Sequence, residues 1–355
     1  YQLYTTHNRF TVIFQNQLMQ LIQYRPTTDT VHRRPLLVIP PWINKYYILD
    51  RGEKKSFIRY WVEQGHTVFV VSWVNPGPEL AHKSFEDYML EGPIAAMDAI
   101  EQATGERELN TVGYCIGGTL LGCTLAWLAA RGDDRVKSAT FLNSLMDFSE
   151  VGDLEVFIDE DAVGKLEKAM NEQGYLEGAS MATAFNMLRA NSLIWSFFVN
   201  NYLLGRDTAP FDLLYWNSDA TRMPAAMHSF YLRNMYLNNR LREPGGIELA
   251  GIPIDLGKVK VPSYFASAIE DHIAPWISCY RGSRYLGGPV RFALGGSGHI
   301  AGIINQIAAN FMARSHFLEP VGVGAVFCAY YKEQVRFTGQ LLHGILPILG
   351  SVTDV

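Results

Sequence analysis

The sequence predicts an α/β fold, a mostly parallel sheet flanked by helices and carrying a helical insertion. Three observations carry this expectation. Short runs that are apolar at consecutive positions recur along the chain, as strands covered on both faces require. Helical segments alternate with them, as crossovers between parallel strands must. The alternation stops between residues 150 and 251 and then resumes.

The first 30 residues are polar and mixed, and the segment 11–23 (TVIFQNQLMQLIQ) reads as a strand entering a helix. Residues 36–39 (LLVI) read as a buried strand that ends at Pro40-Pro41, a pair no central strand can hold. A mixed segment, 50–65, closes on Gly65, which suits the position after a helix C-terminus. Residues 66–73 (HTVFVVSW) form the second strand. Residues 84–104 carry helical periodicity, with Pro93 as a kink because proline lacks the backbone donor. A third strand spans 109–113, a small-residue helix 116–131 and a fourth strand 136–142. Acidic and then aromatic text, including SLIWSFFVNNYLLG, reads as a helical cap over the carboxyl edge of the sheet. A strand at 261–267, a helix at 275–284 and a strand at 290–294 complete the core. The expected organisation is an amino-terminal remnant (1–30), two halves of the core (31–149 and 252–307), a cap (150–251) and a divergent tail (308–355).

Composition narrows the function. Hydrophobic residues make up 48% and charged residues 18%, enough apolar material for a sizeable core and unlike a disordered chain. A net charge of -5 offers no electrostatic footprint for nucleic acid. The four cysteines form no CxxC pair, which argues against a zinc ribbon and suits a reducing, cytoplasmic compartment. No metal is expected. The chain shows no charged-then-apolar leader and no apolar run long enough to span a bilayer, so no transmembrane segment is expected.

The chemistry centres on Gly113-Tyr114-Cys115-Ile116-Gly117, set between a predicted strand and a predicted helix. This is the nucleophile-elbow pattern of α/β-hydrolases with cysteine in place of the usual serine. The glycines permit a sharp turn, and the helix amino end favours a thiolate. The Ile116 N–H can donate to an oxyanion. A packing cysteine is the alternative reading of the pentapeptide alone. In this fold the nucleophile is followed by an acid and then a histidine, and Asp271 and His299 each fall just past the carboxyl end of a predicted strand. Asp271 also suits capping of the following helix, and the adjacent His272 reads as structural. The loop 40–45 (PPWINK) is where this fold places its second oxyanion donor, with Ile43 or Trp42 as the candidate. Trp42, Tyr114, Trp216 and Trp276 are candidates for substrate or cap contacts. Cys123 reads as core, and Cys279 and Cys328 as inert.

These segments resemble the catalytic domain of the poly(3-hydroxyalkanoate) synthases, bacterial polyester polymerases, and the PPWIN form resembles their single-subunit type. The resemblance rests on RPLLVIPPWINKYYILD, GHTVFVVSW, VGYCIGGTL, SLIWSFFVNNYLLG, FDLLYWNSDATRMPAAMHSFYLRNMYLNN, EDHIAPW and GSGHIAGIIN, spread over residues 34–305. It implies an α/β-hydrolase fold with a cap, and an acyltransferase whose nucleophile is Cys115, with Asp271 and His299 completing a triad. It implies a 3-hydroxyacyl-CoA substrate with no resident cofactor, a growing polyester chain and its granule as partners, a homodimer, and a place at the granule surface in the cytoplasm. Two departures stand out. Family members carry a further amino-terminal domain, almost absent here, and beyond Asn305 a basic, asparagine-containing and then tryptophan-rich segment is replaced by QIAANFMARSHFLEPVGVGAVFCAYYKEQVRF. Two rival readings remain: a cysteine thioesterase or lactone hydrolase of the same fold, and an inactive synthase remnant.

Overall fold

The computed structural model describes residues 10–52, 56–188, 195, 198–206, 212–304 and 316–318. In chain order its principal elements begin with β1 (Phe10–Gln15), β2 (Met19–Tyr24), β3 (Leu36–Ile39), α1 (Phe57–Glu63) and β4 (Val68–Trp73). They continue with α2 (Phe85–Met89), α3 (Ala95–Thr104), β5 (Leu109–Tyr114), α4 (Ile116–Ala130) and β6 (Val136–Leu142). The next stretch holds α5 (Glu160–Gln173), α6 (Gly178–Leu188), α7 (Asp212–Ser218) and α8 (Ala225–Tyr231). The chain then returns to the sheet through β7 (Ser263–Ala268), α9 (Trp276–Ser283), β8 (Val290–Gly295), α10 (Ala301–Ile304) and β9 (His316–Leu318). These nine strands form one sheet in the order β1-β2-β4-β3-β5-β6-β7-β8-β9. The run from β4 to β8 is parallel, and the pairs β1–β2, β2–β4 and β8–β9 are antiparallel.

β3, β5 and β7 are buried along their whole length, which is why they read as unbroken apolar or small-residue runs. α4 is buried from residue 116 to 128, and a helix apolar all round belongs inside a core. The helical segment 84–104 divides at a π-helical turn over Leu90–Ile94, where Gly92 leaves helical geometry one residue before Pro93. A Cβ on Gly92 would lie 2.4 Å from the Trp73 ring, so the kink lets the backbone approach that indole.

The segment 11–23 is a hairpin, not a strand running into a helix. Asn16 turns the chain: its side-chain oxygen accepts from the Leu18 and Met19 N–H groups, both at 2.9 Å. Its apolar residues at 18, 19, 21 and 22 mimic helical spacing. Leu18 is buried just before β2, and Met19, Leu21 and Ile22 are buried within it because antiparallel pairing with β4 places them against two faces of the sheet. Between β6 and β7 the described chain is predominantly helical, with α5 to α8 and two short antiparallel strand pairs. Of the divergent tail only the backbone of β9 is described; the rest, with Cys328, lies outside the described residues. Among the described residues no helix is long and apolar enough to cross a membrane.

Two core histidines make stability depend on pH. Burial, joined by the neighbouring His32, lowers the His66 pKa to about 4, and burial alone lowers His228 to about 4. Both stay neutral in the fold, whereas the unfolded chain takes up protons near the ordinary histidine value. The unfolded state therefore binds more protons between about pH 6.5 and 4, and stability falls as pH drops through that window. The expected loss approaches roughly 3 kcal/mol per histidine at pH 4. Melting temperatures recorded from pH 7.5 to 4.5 check this, and His66→Gln should flatten part of the slope.

Candidate active site

Cys115 stands between β5 and α4 with φ 54° and ψ -127°, a left-handed backbone that a side-chain-bearing residue holds only when its surroundings enforce it. Main-chain bonds supply the enforcement. The Cys115 N–H donates to the Leu142 carbonyl at 2.9 Å, and its carbonyl accepts from the N–H groups of Gly118 and Thr119. The flanking glycines are demanded by space. A Cβ on Gly113 would fall 2.5 Å from the Gly118 Cα, and one on Gly117 would fall 2.3 Å from the Ile39 carbonyl oxygen. The amino end of α4 is thus wedged against the end of β3 and the start of the 40–45 loop. Ile116, the first residue of α4, has no carbonyl one turn back for its N–H to meet, so that donor faces the elbow.

His299 and Asp271 arrive from the loops after β8 and β7. His299 Nδ1 lies 2.7 Å from Asp271 Oδ2, both side chains buried. Because a carboxylate only accepts, Nδ1 carries the proton and Nε2 is the nitrogen left for the thiol. Asp271 divides its two oxygens. Oδ1 accepts from the N–H groups of Ile273 (2.9 Å) and Ala274 (2.8 Å), closing the turn before α9, while Oδ2 holds the imidazole. It does not cap α9, whose first turn begins after Pro275 with no side-chain bond, but closes the turn before it. Burial of the His299 ring opposes its protonation, but the charges of Asp271 and Cys115 and hydrogen bonds to both hold it well above its ordinary value. Asp271 and His299 are thus one hydrogen-bonded pair, and Cys115 is near enough for its charge to act on the ring.

The other candidates are placed differently. Trp42 is fully buried, its ring packed against Trp73 (5.3 Å between centroids) and Tyr88 (4.8 Å), so it is a core residue. Tyr114 is buried as well. Its ring stacks on His299 at 5.7 Å and its hydroxyl donates to the His299 carbonyl at 3.1 Å, which makes it a support for the histidine. Trp216, on α7, donates from Nε1 to the Lys45 carbonyl at 2.8 Å, while Asn44 Nδ2 donates to the Trp216 carbonyl. The Ile43 carbonyl accepts from Thr221 N–H at 2.8 Å, so the 40–45 loop is clamped by the segment that follows α7. Trp276, the first residue of α9, is partly buried against the main core. Burial pushes the Cys123 thiol up to about 12 and the Cys279 thiol higher still, which leaves both protonated.

Sequence reasoning missed three residues here. Asn143, just past β6 with φ 44°, donates from Nδ2 to the His299 carbonyl at 2.5 Å. Its place at a strand's carboxyl end is the signal that could have found it. Tyr231 and Tyr236 come from the helical segment and lie near enough to Cys115 for its charge, after burial, to raise both phenols. Nothing in the local pattern separates them from the other aromatics there.

Residues 46–306 match the family model described as alpha/beta hydrolase fold, and residues 4–61 match the model described as Poly-beta-hydroxybutyrate polymerase (PhaC) N-terminus. The chain is 59% identical over 297 residues to the poly(3-hydroxyalkanoate) polymerase subunit PhaC of Rhizobium meliloti (strain 1021), an alignment covering 84% of this chain and 48% of that protein. It is 59% identical over 293 residues to the poly(3-hydroxyalkanoate) polymerase of Methylorubrum extorquens, covering 82% of this chain and 48% of the relative. For the PhaC subunit of Cupriavidus necator the identity is 45% over 311 residues, covering 86% of this chain and 52% of the relative. The chain spans about half the length of the curated relatives it matches. Taken with the sheet order and the cysteine elbow, these matches mean that the chain belongs to the α/β-hydrolase fold family and, within it, to the poly(3-hydroxyalkanoate) polymerases.

Proposed function

We propose that this chain is a polyester-forming acyltransferase acting on 3-hydroxyacyl-CoA. The observation that carries the reading is the hydrogen-bonded pair Asp271–His299 beside Cys115, which stands on a strained elbow. The Cys115 thiolate adds to the thioester carbonyl, and the developing oxyanion is met by the Ile116 N–H, with the Ile43 N–H as the second donor. Collapse breaks the bond to the CoA sulfur, which leaves with the proton held on His299 Nε2, and the acyl group remains on Cys115 as a new thioester. A hydroxyl from a second monomer or from the chain end then attacks that carbonyl while His299 takes its proton. The Cys115 thiolate is released and an ester is formed. Exchange of one thioester for another keeps the acyl group activated between the two steps, which accounts for cysteine where hydrolases use serine. The substrate is the CoA thioester itself, and no cofactor enters the scheme. The reading extends to a homodimer at the surface of the polyester granule.

Incubating the purified chain with 3-hydroxybutyryl-CoA tests it. CoA release with solvent-extractable polyester is the expected result. CoA release with only free 3-hydroxybutyrate selects the thioesterase reading, and no release at all overturns both.

A further inference from the structure

The 40–45 loop is fixed by donors that reach its carbonyls from elsewhere in the fold. Trp73 Nε1 donates to the Pro40 carbonyl at 2.9 Å, and Trp216 Nε1 to the Lys45 carbonyl at 2.8 Å. Between them Thr221 bonds two consecutive residues. Its hydroxyl donates to the Trp42 carbonyl, and its N–H donates to the Ile43 carbonyl at 2.8 Å. Asn44 forms an antiparallel bridge with Ala220, and the Tyr47 hydroxyl donates to Asp219 Oδ2 at 2.7 Å. Residues 216–221 therefore run beside the loop as a splint.

The Trp42 carbonyl and the Ile43 N–H belong to one peptide unit. That unit is planar and trans, so the two groups point in opposite directions. With the carbonyl turned to Thr221, the Ile43 N–H is turned away from it. Among the described residues no acceptor meets that N–H. The peptide is also pinned at both ends. The Trp42 ring is buried against Trp73 and Tyr88, and the Ile43 carbonyl is tied to the Thr221 N–H. The freedom left is a flip of the peptide plane, which would exchange the N–H for a carbonyl oxygen. The Thr221 hydroxyl opposes that flip, and Thr221 is only 2% exposed, so water does not take its place. The base of the same loop presses on the amino end of α4, where a Cβ on Gly117 would lie 2.7 Å from the Pro40 carbonyl oxygen.

An oxyanion is stabilised by donors aimed before its charge develops. We propose that Thr221 is a positioning residue for acyl transfer: its hydroxyl holds the Trp42–Ile43 peptide in the orientation that offers the Ile43 N–H to the oxyanion. The inference deepens the reading of Cys115 as acyl acceptor and rests on it. Thr221 acts through the peptide, and its bond to the carbonyl also polarises the amide and strengthens the N–H as a donor.

The test compares two reactions of Cys115 on the whole chain. Acylation by 3-hydroxybutyryl-CoA, read as the first-turnover burst of CoA, develops an oxyanion. Alkylation by iodoacetamide, read by mass spectrometry of the Cys115 peptide, displaces iodide at a tetrahedral carbon and develops none. Thr221→Val keeps a similar shape and the N–H bond to Ile43 but removes the hydroxyl. It is expected to slow acylation by about 10- to 100-fold, short of the roughly 100- to 1,000-fold for outright loss of an oxyanion donor. Alkylation should stay within about 2-fold of wild type, because it depends on the thiolate alone. Thr221→Ser, which restores the hydroxyl, should recover most of the acylation rate. Acylation within about 2-fold of wild type in Thr221→Val overturns the proposal, as does an equal loss of both reactions or a failure of Thr221→Ser to recover the rate. Unfolding of both Thr221→Val and the smaller Thr221→Ala overturns it too, since the hydroxyl would then be a bond the fold itself requires. No CoA burst from a wild type whose Cys115 is still alkylated instead sinks the Cys115 reading.

Discussion

Cys115→Ala is expected to lower CoA release from 3-hydroxybutyryl-CoA by at least roughly 10,000-fold, the scale seen when the nucleophile of a triad is removed. The loss should be this large because no other described thiol can substitute. Cys123 and Cys279 are fully buried and held protonated, and neither lies on a turn that presents it to a ligand. The fold should tolerate the change, since the elbow is held by main-chain bonds of residue 115 to Leu142, Gly118 and Thr119 that alanine retains. Rate measurements with a thiol reagent for free CoA check the loss. Mass spectrometry of the wild-type peptide containing Cys115 should find the acyl adduct, absent from the variant. Turnover surviving in Cys115→Ala would mean that the elbow cysteine is not the nucleophile.

Asp271→Asn is the second large effect, an expected loss of roughly 1,000- to 10,000-fold in kcat, as for the equivalent change in other triads. The substitution is close to isosteric and its carbonyl oxygen can still accept from the Ile273 and Ala274 N–H groups, so the turn before α9 survives. What changes is the atom facing His299 Nδ1. An amide NH2 there presents a donor to a donor, and the ring is driven towards the tautomer that puts its proton on the side of the thiol. The pH profile should move as well. Asp271 and Cys115 hold the His299 pKa well above its ordinary value against the opposing effect of burial. Without the carboxylate charge the imidazolium loses its proton at lower pH, so the high-pH limb of the rate profile shifts downward. A folded Asp271→Asn protein with wild-type kcat and an unmoved limb would remove Asp271 from the mechanism.

The parts of this fold that could be read from sequence are those where one residue property has one structural cause. β3, β5 and β7 are buried on both faces, and continuous apolar or small-residue text reports that directly. The elbow was legible because Gly113 and Gly117 answer to close backbone contacts that exclude any Cβ. The β1–β2 hairpin was not, because residues 18, 19, 21 and 22 satisfy a helical period as well as a doubly covered strand, and the deciding element is one side-chain oxygen on Asn16. Trp42 and Tyr114 show a different limit. Their aromatic character was visible, but the direction in which each ring points is set by the neighbours it packs on, Trp73 and Tyr88 for one and His299 for the other. Tyr231 and Tyr236 escaped notice because their approach depends on a π-helical turn, a backbone choice with no composition of its own.

The His299 carbonyl, held by Tyr114 from β5 and Asn143 from the end of β6, fixes one loop of the site to another. The Cys115 N–H is bonded to Leu142, and the Asn143 N–H to Ala266 on β7. The loops that carry the thiol and the imidazole are therefore sewn to each other through the sheet, with no bond in that seam contributed by α5 to α8. A displacement of α5 to α8 would leave the thiol and the imidazole registered with each other and would instead carry the 40–45 loop with Ile43, which is bonded to Trp216 and Thr221.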